Sequence, residues 1–143
     1  MKLSTRTRYG IRAVIELAKQ GNSVPVRLKT IAQRQEISIK YLEQLMAILK
    51  SAGFVRSVRG ARGGYVLARP AEQIRLDELF TALEGPLTAI ECLDDASCCA
   101  RAADCAARDI WKQVQDAVAK VLRAITIQDV VDKTKSTGLN YHI

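Results

Sequence analysis

The chain has 143 residues, 48% of them hydrophobic, which is enough for one domain with a real core and too apolar for a disordered chain. No run of about 18 apolar residues is present, and the polar, basic opening MKLSTRTRYGIRAV lacks the apolar region of a secretory signal; the expected location is the cytoplasm. The net charge of +7 is unevenly divided: residues 1–70 hold 14 Lys and Arg against 3 Asp and Glu, residues 71–143 hold 8 against 12, and so basic a front half favours a polyanion such as nucleic acid over a merely solvated surface.

Ser4 can cap a first helix that runs to about Gln20, with Ile11, Val14, Ile15, Leu17 and Ala18 as its apolar stripe. Gly21-Asn22 ends it, and Val24-Pro25-Val26 is a short extended link. LKTIAQRQ reads as a brief second helix, with Leu28, Ile31 and Ala32 inward. After a tight connection, Ser38 caps a third helix, IKYLEQLMAILKSAG, whose inward face is Ile39, Leu42, Leu45, Met46 and Leu49. Phe54–Val58 alternates as a strand and Tyr65–Leu67 is its return, around the basic, glycine-rich tip RGARGG. Ile74–Leu76 is a short extended segment. Asp77 begins a helix that stops at Gly85-Pro86, and an irregular cysteine-bearing stretch follows. From Asp109 a long helix runs to about Ala124. TIQDVVDKT is a last short helix capped by Thr126, and the tail after it is expected to be mobile.

Two short helices joined by a tight turn and followed by a two-stranded hairpin make a winged helix-turn-helix. Its second helix must turn polar side chains to the major groove while its other face packs on the core. Ser38, Lys40, Tyr41, Glu43 and Gln44 lie outward; Gln can read adenine, and Glu can accept from the cytosine amino group. Tyr41 suits either packing or a phosphate contact, and Arg27 and Lys29 suit phosphates. At the hairpin tip, Arg59 and Arg62 alternate with Gly60, Gly63 and Gly64. The glycines alone would mark an ordinary turn. Behind a two-helix unit they read as a wing whose arginine suits the negative potential of a narrow minor groove.

All four cysteines fall in ECLDDASCCARAADCAARDIW, at 92, 98, 99 and 105. Structural disulfides are rare in the cytoplasm, so the cluster points to a metal, an iron–sulfur cluster or a thiol switch. Zinc on three thiolates and an oxygen is one alternative. The helix that follows carries an apolar stripe of Ile110, Val114, Ala117, Val118, Val121, Leu122 and Ile125, read as the seam of a homodimer; Trp111 is expected as a packing anchor beside the cysteines. No Ser-His-Asp set, phosphate loop, metal-hydrolase motif or Cys-x-x-Cys is present, so an enzyme is not expected.

The opening MKLSTRTRYGIRAV, the helix SIKYLEQLMAILKSAGFV, the wing SVRGARGGYVLARP, LDELFTALEG and the cysteine loop running into CAARDIWKQV together resemble the Rrf-two family of bacterial regulators, with its IscR-, NsrR- and CymR-type members. The resemblance covers essentially the whole chain. It implies a mainly α fold with a small β-wing: a winged helix-turn-helix domain over about residues 1–85 (helix-turn-helix 27–52, wing 54–68), a sensor loop over 86–108, a dimerisation helix with a short terminal helix over 109–134, and a flexible tail over 135–143. It implies a dimeric repressor or dual regulator on two-fold symmetric double-stranded DNA, with Ser38, Lys40 and Glu43 toward the bases and Arg59 in the minor groove. IscR-like members have serine at the position of Lys40.

The resemblance also implies three cysteines holding an iron–sulfur cluster that reports iron, redox state or nitric oxide, 2Fe–2S in IscR-like members and 4Fe–4S in some NsrR-like ones. The family spacing fits Cys92, Cys99 and Cys105, with Cys98 as alternate and 2Fe–2S the favoured cluster. Arg108 stands where IscR-like members have a histidine ligand, and Arg8 stands about where NsrR-like members have an acidic one. CymR-like members instead bind O-acetylserine sulfhydrylase. This chain ends Asn140-Tyr141-His142-Ile143, resembling the isoleucine tails that enzyme captures, which makes Ile143 the candidate contact.

Overall fold

A computed structural model describes residues 2–138. Helix α1 (Thr5–Lys19) begins where the Ser4 hydroxyl accepts from the Thr7 N–H at 3.2 Å. Helix α2 (Leu28–Gln35) ends on Glu36, whose φ of 54° makes it the one non-glycine residue in the left-handed region among those described. That reversal sets up α3 (Ile39–Ser51), capped by Ser38. Strands β1 (Val55–Val58) and β2 (Gly64–Leu67) pair antiparallel, Val55 opposite Leu67 and Val58 opposite Gly64. The fold is thus mainly helical with one two-stranded wing.

The wing is anchored to the chain before α2. Val26 and Tyr65 exchange both backbone hydrogen bonds, at 2.9 and 2.8 Å. Gly64 makes this approach possible: a Cβ there would lie 2.4 Å from the Val26 carbonyl oxygen, and its φ is +154°.

Helix α4 (Leu76–Glu84) stops at Gly85, one helical turn α5 (Glu91–Asp94) interrupts the cysteine stretch, and α6 (Ala106–Ala124) and α7 (Ile127–Thr137) complete the chain. The core draws on α1 (Val14, Leu17), α2 (Ile31), α3 (Leu42, Leu45, Met46, Leu49), α4 (Leu79, Leu83) and α7 (Ile127, Val131). Burial of side chains this size favours folding by about 1.5–3 kcal/mol each.

Three sequence expectations are corrected. Ile39 is 46% exposed, because at the first position of α3 it overhangs the core that the later apolar residues fill. Helix α6 starts at Ala106 rather than Asp109, since Ala106 and Ala107 are strong helix formers that extend it back to Cys105. Helix α7 runs past residue 134 to Thr137, so residues 135–137 of the expected tail are helical; Thr137 bonds back to the Lys133 carbonyl and left-handed Gly138 ends the helix. That helix joins the core through Ile127 and Val131. A bridge between Arg75 and Thr126 reverses the chain, with Leu76 N–H on Ile125 O at 2.9 Å and Ile127 N–H on Ile74 O at 2.8 Å.

Candidate nucleic-acid interface and cysteine loop

Helix α3 is held along one face and free along the other. Leu42, Leu45, Met46 and Leu49 are at most 1% exposed, while Lys40, Glu43 and Gln44 are exposed and carry donors and acceptors suited to base edges. The Ser38 hydroxyl accepts from Tyr41 N–H at 3.2 Å, which uses one lone pair and leaves its proton free to donate outward. Tyr41 packs edge-on against Tyr9 with centroids 6.1 Å apart, and its hydroxyl lies 3.3 Å from Thr5 Oγ1. Its ring therefore braces α3 on α1. At the far end of α3, Lys50 donates to Ser57 Oγ on β1 at 3.1 Å, joining recognition helix to wing.

The wing tip turns through Gly60, at φ +105°, and closes with Gly63 N–H on Gly60 O at 3.0 Å. Arg59 and Arg62 are exposed on it. Arg27, expected at a phosphate, is exposed too, and its guanidinium donates to the Ala61 carbonyl at 2.5 Å, so it also supports the tip; Lys29 is exposed. Two exposed residues were missed in the sequence. Arg56 alternates with buried Val55 on β1, a signal readable from the strand pattern, and Ile39 stands beside Ser38 and Lys40.

The cysteine loop connects α4 to α6. Its start is tied down where Ala89 N–H meets Gln115 Oε1 at 2.9 Å, and where Arg108 Nε donates to the Cys92 carbonyl at 3.0 Å. Asp95 accepts from Ser97 N–H and Oγ, at 2.9 and 2.6 Å, and these bonds hold its carboxyl below the ordinary value. Cys92 and Cys105 are half-buried, Cys98 and Cys99 are exposed, and all four thiols are free. The Cys98 thiol is pushed up, first by lost hydration and then by the negative character of Cys92, Asp95, Glu91 and Cys99. A raised thiol is a poor nucleophile at neutral pH.

Four free thiols are the right donor chemistry for a soft metal or iron–sulfur group. The arrangement is open: among the described residues no three Cys, His, Asp or Glu side chains are gathered to hold a metal. Arg108 is occupied with the Cys92 carbonyl and, as a guanidinium, supplies no ligand.

Helix α6 has 19 residues and none is buried. Ile110, Val114 and Val121 are 56, 46 and 58% exposed and, with Ala117, recur at alternating spacings of four, three and four. Val118 and Leu122 are half-buried, on the side of α6 that rests on α4. Ile125 lies just past the helix end, its carbonyl engaged by Leu76. Trp111 is 45% exposed, on the rim of a cleft shared with Phe80, Leu87 and Val118. Ile143 lies outside the described residues.

Comparison with known proteins places these features. The Rrf2 family model, described as an iron-dependent transcriptional regulator, matches residues 3–133. The protein named rrf2 of Nitratidesulfovibrio vulgaris is 44% identical over 131 residues, 92% of this chain and 87% of that one. Among solved structures, CymR, the global cysteine regulator of B. subtilis, superposes with a TM-score of 0.81 at 41% identity, covering 94% of this chain and 98% of that one. T. potens IscR superposes with a TM-score of 0.80 at 35% identity, covering 99% and 93%.

Proposed function

The chain belongs to the Rrf2 family of transcriptional regulators, and on that premise we propose that it acts in the cytoplasm as a homodimeric repressor on a double-stranded operator of two-fold symmetry. The observation that carries this reading is α3 itself: capped by Ser38, buried along Leu42, Leu45, Met46 and Leu49, and free along Lys40, Glu43 and Gln44. Those residues and Ser38 read the major groove, with Tyr41 positioning the helix. Arg59 enters the minor groove, with Arg62 beside it and Gly60, Gly63 and Gly64 shaping the tip, while Lys29 and Arg27 meet phosphates. The exposed stripe of α6, Ile110, Val114 and Val121 with Val118, Leu122 and Ile125 at its margin, is the seam between protomers. Salt titration of operator binding tests the interface: Arg59→Ala should weaken binding and lower the salt slope by about 1. Unchanged affinity and slope would remove Arg59 from the interface.

The input in this reading is an iron–sulfur cluster, 2Fe–2S rather than 4Fe–4S, which Cys92, Cys99 and Cys105 would hold with Cys98 as alternate. It would supply sensitivity to iron, oxidants or nitric oxide. The family description as iron-dependent and the free thiol set support it. Iron and sulfide analysis with visible spectra of anaerobically purified protein is the test. A colourless protein without iron or sulfide rules the cluster out, and a colourless one with zinc points to a structural metal.

A second reading rests on the likeness to the B. subtilis cysteine regulator and on Arg108 at the histidine position. Here the chain governs sulfur metabolism and is controlled by O-acetylserine sulfhydrylase, which grips Ile143. Removing Ile143 should abolish that binding; unchanged affinity disposes of the reading.

A further inference from the structure

A cavity of about 270 Å³ lies between α1, the last residue of α2 and α7, away from both α3 and the cysteine loop. Its floor is Ile15 and Val130, and its charged lining is Arg12, Glu16, Lys19 and Lys133. Glu16 is only 5% exposed, a carboxylate the DNA-binding reading does not use. It is already neutralised twice, by Lys19 Nζ at 3.0 Å and Arg34 Nη1 at 3.4 Å. Lys133 forms no ion pair among the described residues. Beyond the Lys19–Glu16 pair the lining therefore carries two cations, Arg12 and Lys133, over an apolar floor. The species that completes it is an anion with a short apolar body.

The cavity is wired to the reading head. Arg12 Nε donates to Gln35 Oε1 at 2.6 Å and its Nη2 to the Gln35 carbonyl at 2.9 Å, gripping α2 at its last residue. The next residue is Glu36, whose left-handed backbone turns the chain into α3. A carboxylate in the cavity draws on the same guanidinium fork that holds Gln35.

We propose that this cavity is an effector site for a small organic monocarboxylate. Lys133 and Arg12 take the carboxylate, and the apolar part lies on Ile15 and Val130. Occupancy competes for Arg12 and so shifts the turn that aims α3, a coupling between two distinct sites. The consequence for operator binding rests on the DNA-binding reading; the ligand site itself does not.

The test is titration of the full-length protein with butyrate, then acetate, followed by amide NMR at constant ionic strength. Butyrate should give saturable shifts confined to α1, the end of α2 with the Glu36 turn into α3, and α7, and bind about fifteenfold tighter than acetate because of its two further methylenes. Lys133→Glu, at an exposed position, should lose butyrate binding at least about tenfold while keeping its fold. Saturating butyrate should also change operator affinity in the parent and not in Lys133→Glu. Equal affinity for acetate and butyrate, shifts spread over the basic surface, or an unaffected Lys133→Glu variant would each overturn the site. Confined, variant-sensitive shifts with no operator binding at all would leave the site standing and refute the DNA-binding reading instead.

Discussion

Adding one methyl group at Gly64 should loosen the wing from the body. Two costs combine there. The backbone at φ +154° is a conformation open to glycine, and forcing alanine into it costs about 1–3 kcal/mol. The new Cβ would also sit 2.4 Å from the Val26 oxygen, against backbone that has no flexible end to give way. Relief means parting Val26 from Tyr65 and weakening hydrogen bonds of 2.9 and 2.8 Å, worth about 0.5–1.5 kcal/mol each. The total is about 2–6 kcal/mol, a large share of a small domain's stability. Gly60→Ala is the control: its φ of +105° imposes strain, but nothing lies within 4 Å of the added Cβ. Urea unfolding of both variants measures the difference, and Gly64→Ala should be the less stable by at least about 1 kcal/mol, the size of one hydrogen bond. A Gly64→Ala protein as stable as Gly60→Ala would refute the close approach.

Val121→Glu should turn a dimer into a monomer by sedimentation while leaving the protomer's unfolding within about 0.5 kcal/mol, because this side chain is 58% exposed. Ile39→Ala should likewise spare stability yet weaken operator binding, and deoxyuridine in place of thymine at the contacted position should abolish the difference between the two proteins, since only the thymine methyl is removed. The Glu84 carboxyl, which accepts from the Ser4 hydroxyl at 2.5 Å and from the Thr7 hydroxyl, is held below the ordinary 4.5 by those two bonds. A depressed folded-state value contributes stability above the unfolded value, and that stability is lost as pH falls through the folded one. Glu84→Gln should therefore flatten the decline in Tm between about pH 5 and pH 3, and an unchanged profile would show the bonds to be idle.

The front of the molecule was legible because its signals are local. Ser4 and Ser38 cap the helices expected from them, and LKTIAQRQ is α2 to the residue. Thr126 starts α7 as read, reinforced by Asp129 in a reciprocal cap. What escaped depends on where elements end up in space. Ile39 has the right spacing from Leu42 and Met46 to be internal, but periodicity cannot show that no neighbour covers the first turn of α3. Glu16 interrupts the apolar run Ala13–Ala18, and that interruption was the available sign of a buried charge; its partner Arg34 comes from α2 and is invisible to local pattern. The polar end of α7 carries no apolar stripe, so its last turn could be inferred only from Gly138. The cysteines were legible as a group and not as a geometry, because ligand convergence belongs to the folded loop.

The return of α7 to α1 has a consequence for synthesis. Val14 and Leu17, among the first core residues translated, lie in one cluster with Ile127 and Val131, among the last. Contacts so distant in sequence form late and slowly. A ribosome-bound chain that has already exposed α2, α3 and the wing still lacks a wall of its own core. Until Ile127 and Val131 have emerged and docked on α1, the body that carries α3 and the wing is incomplete.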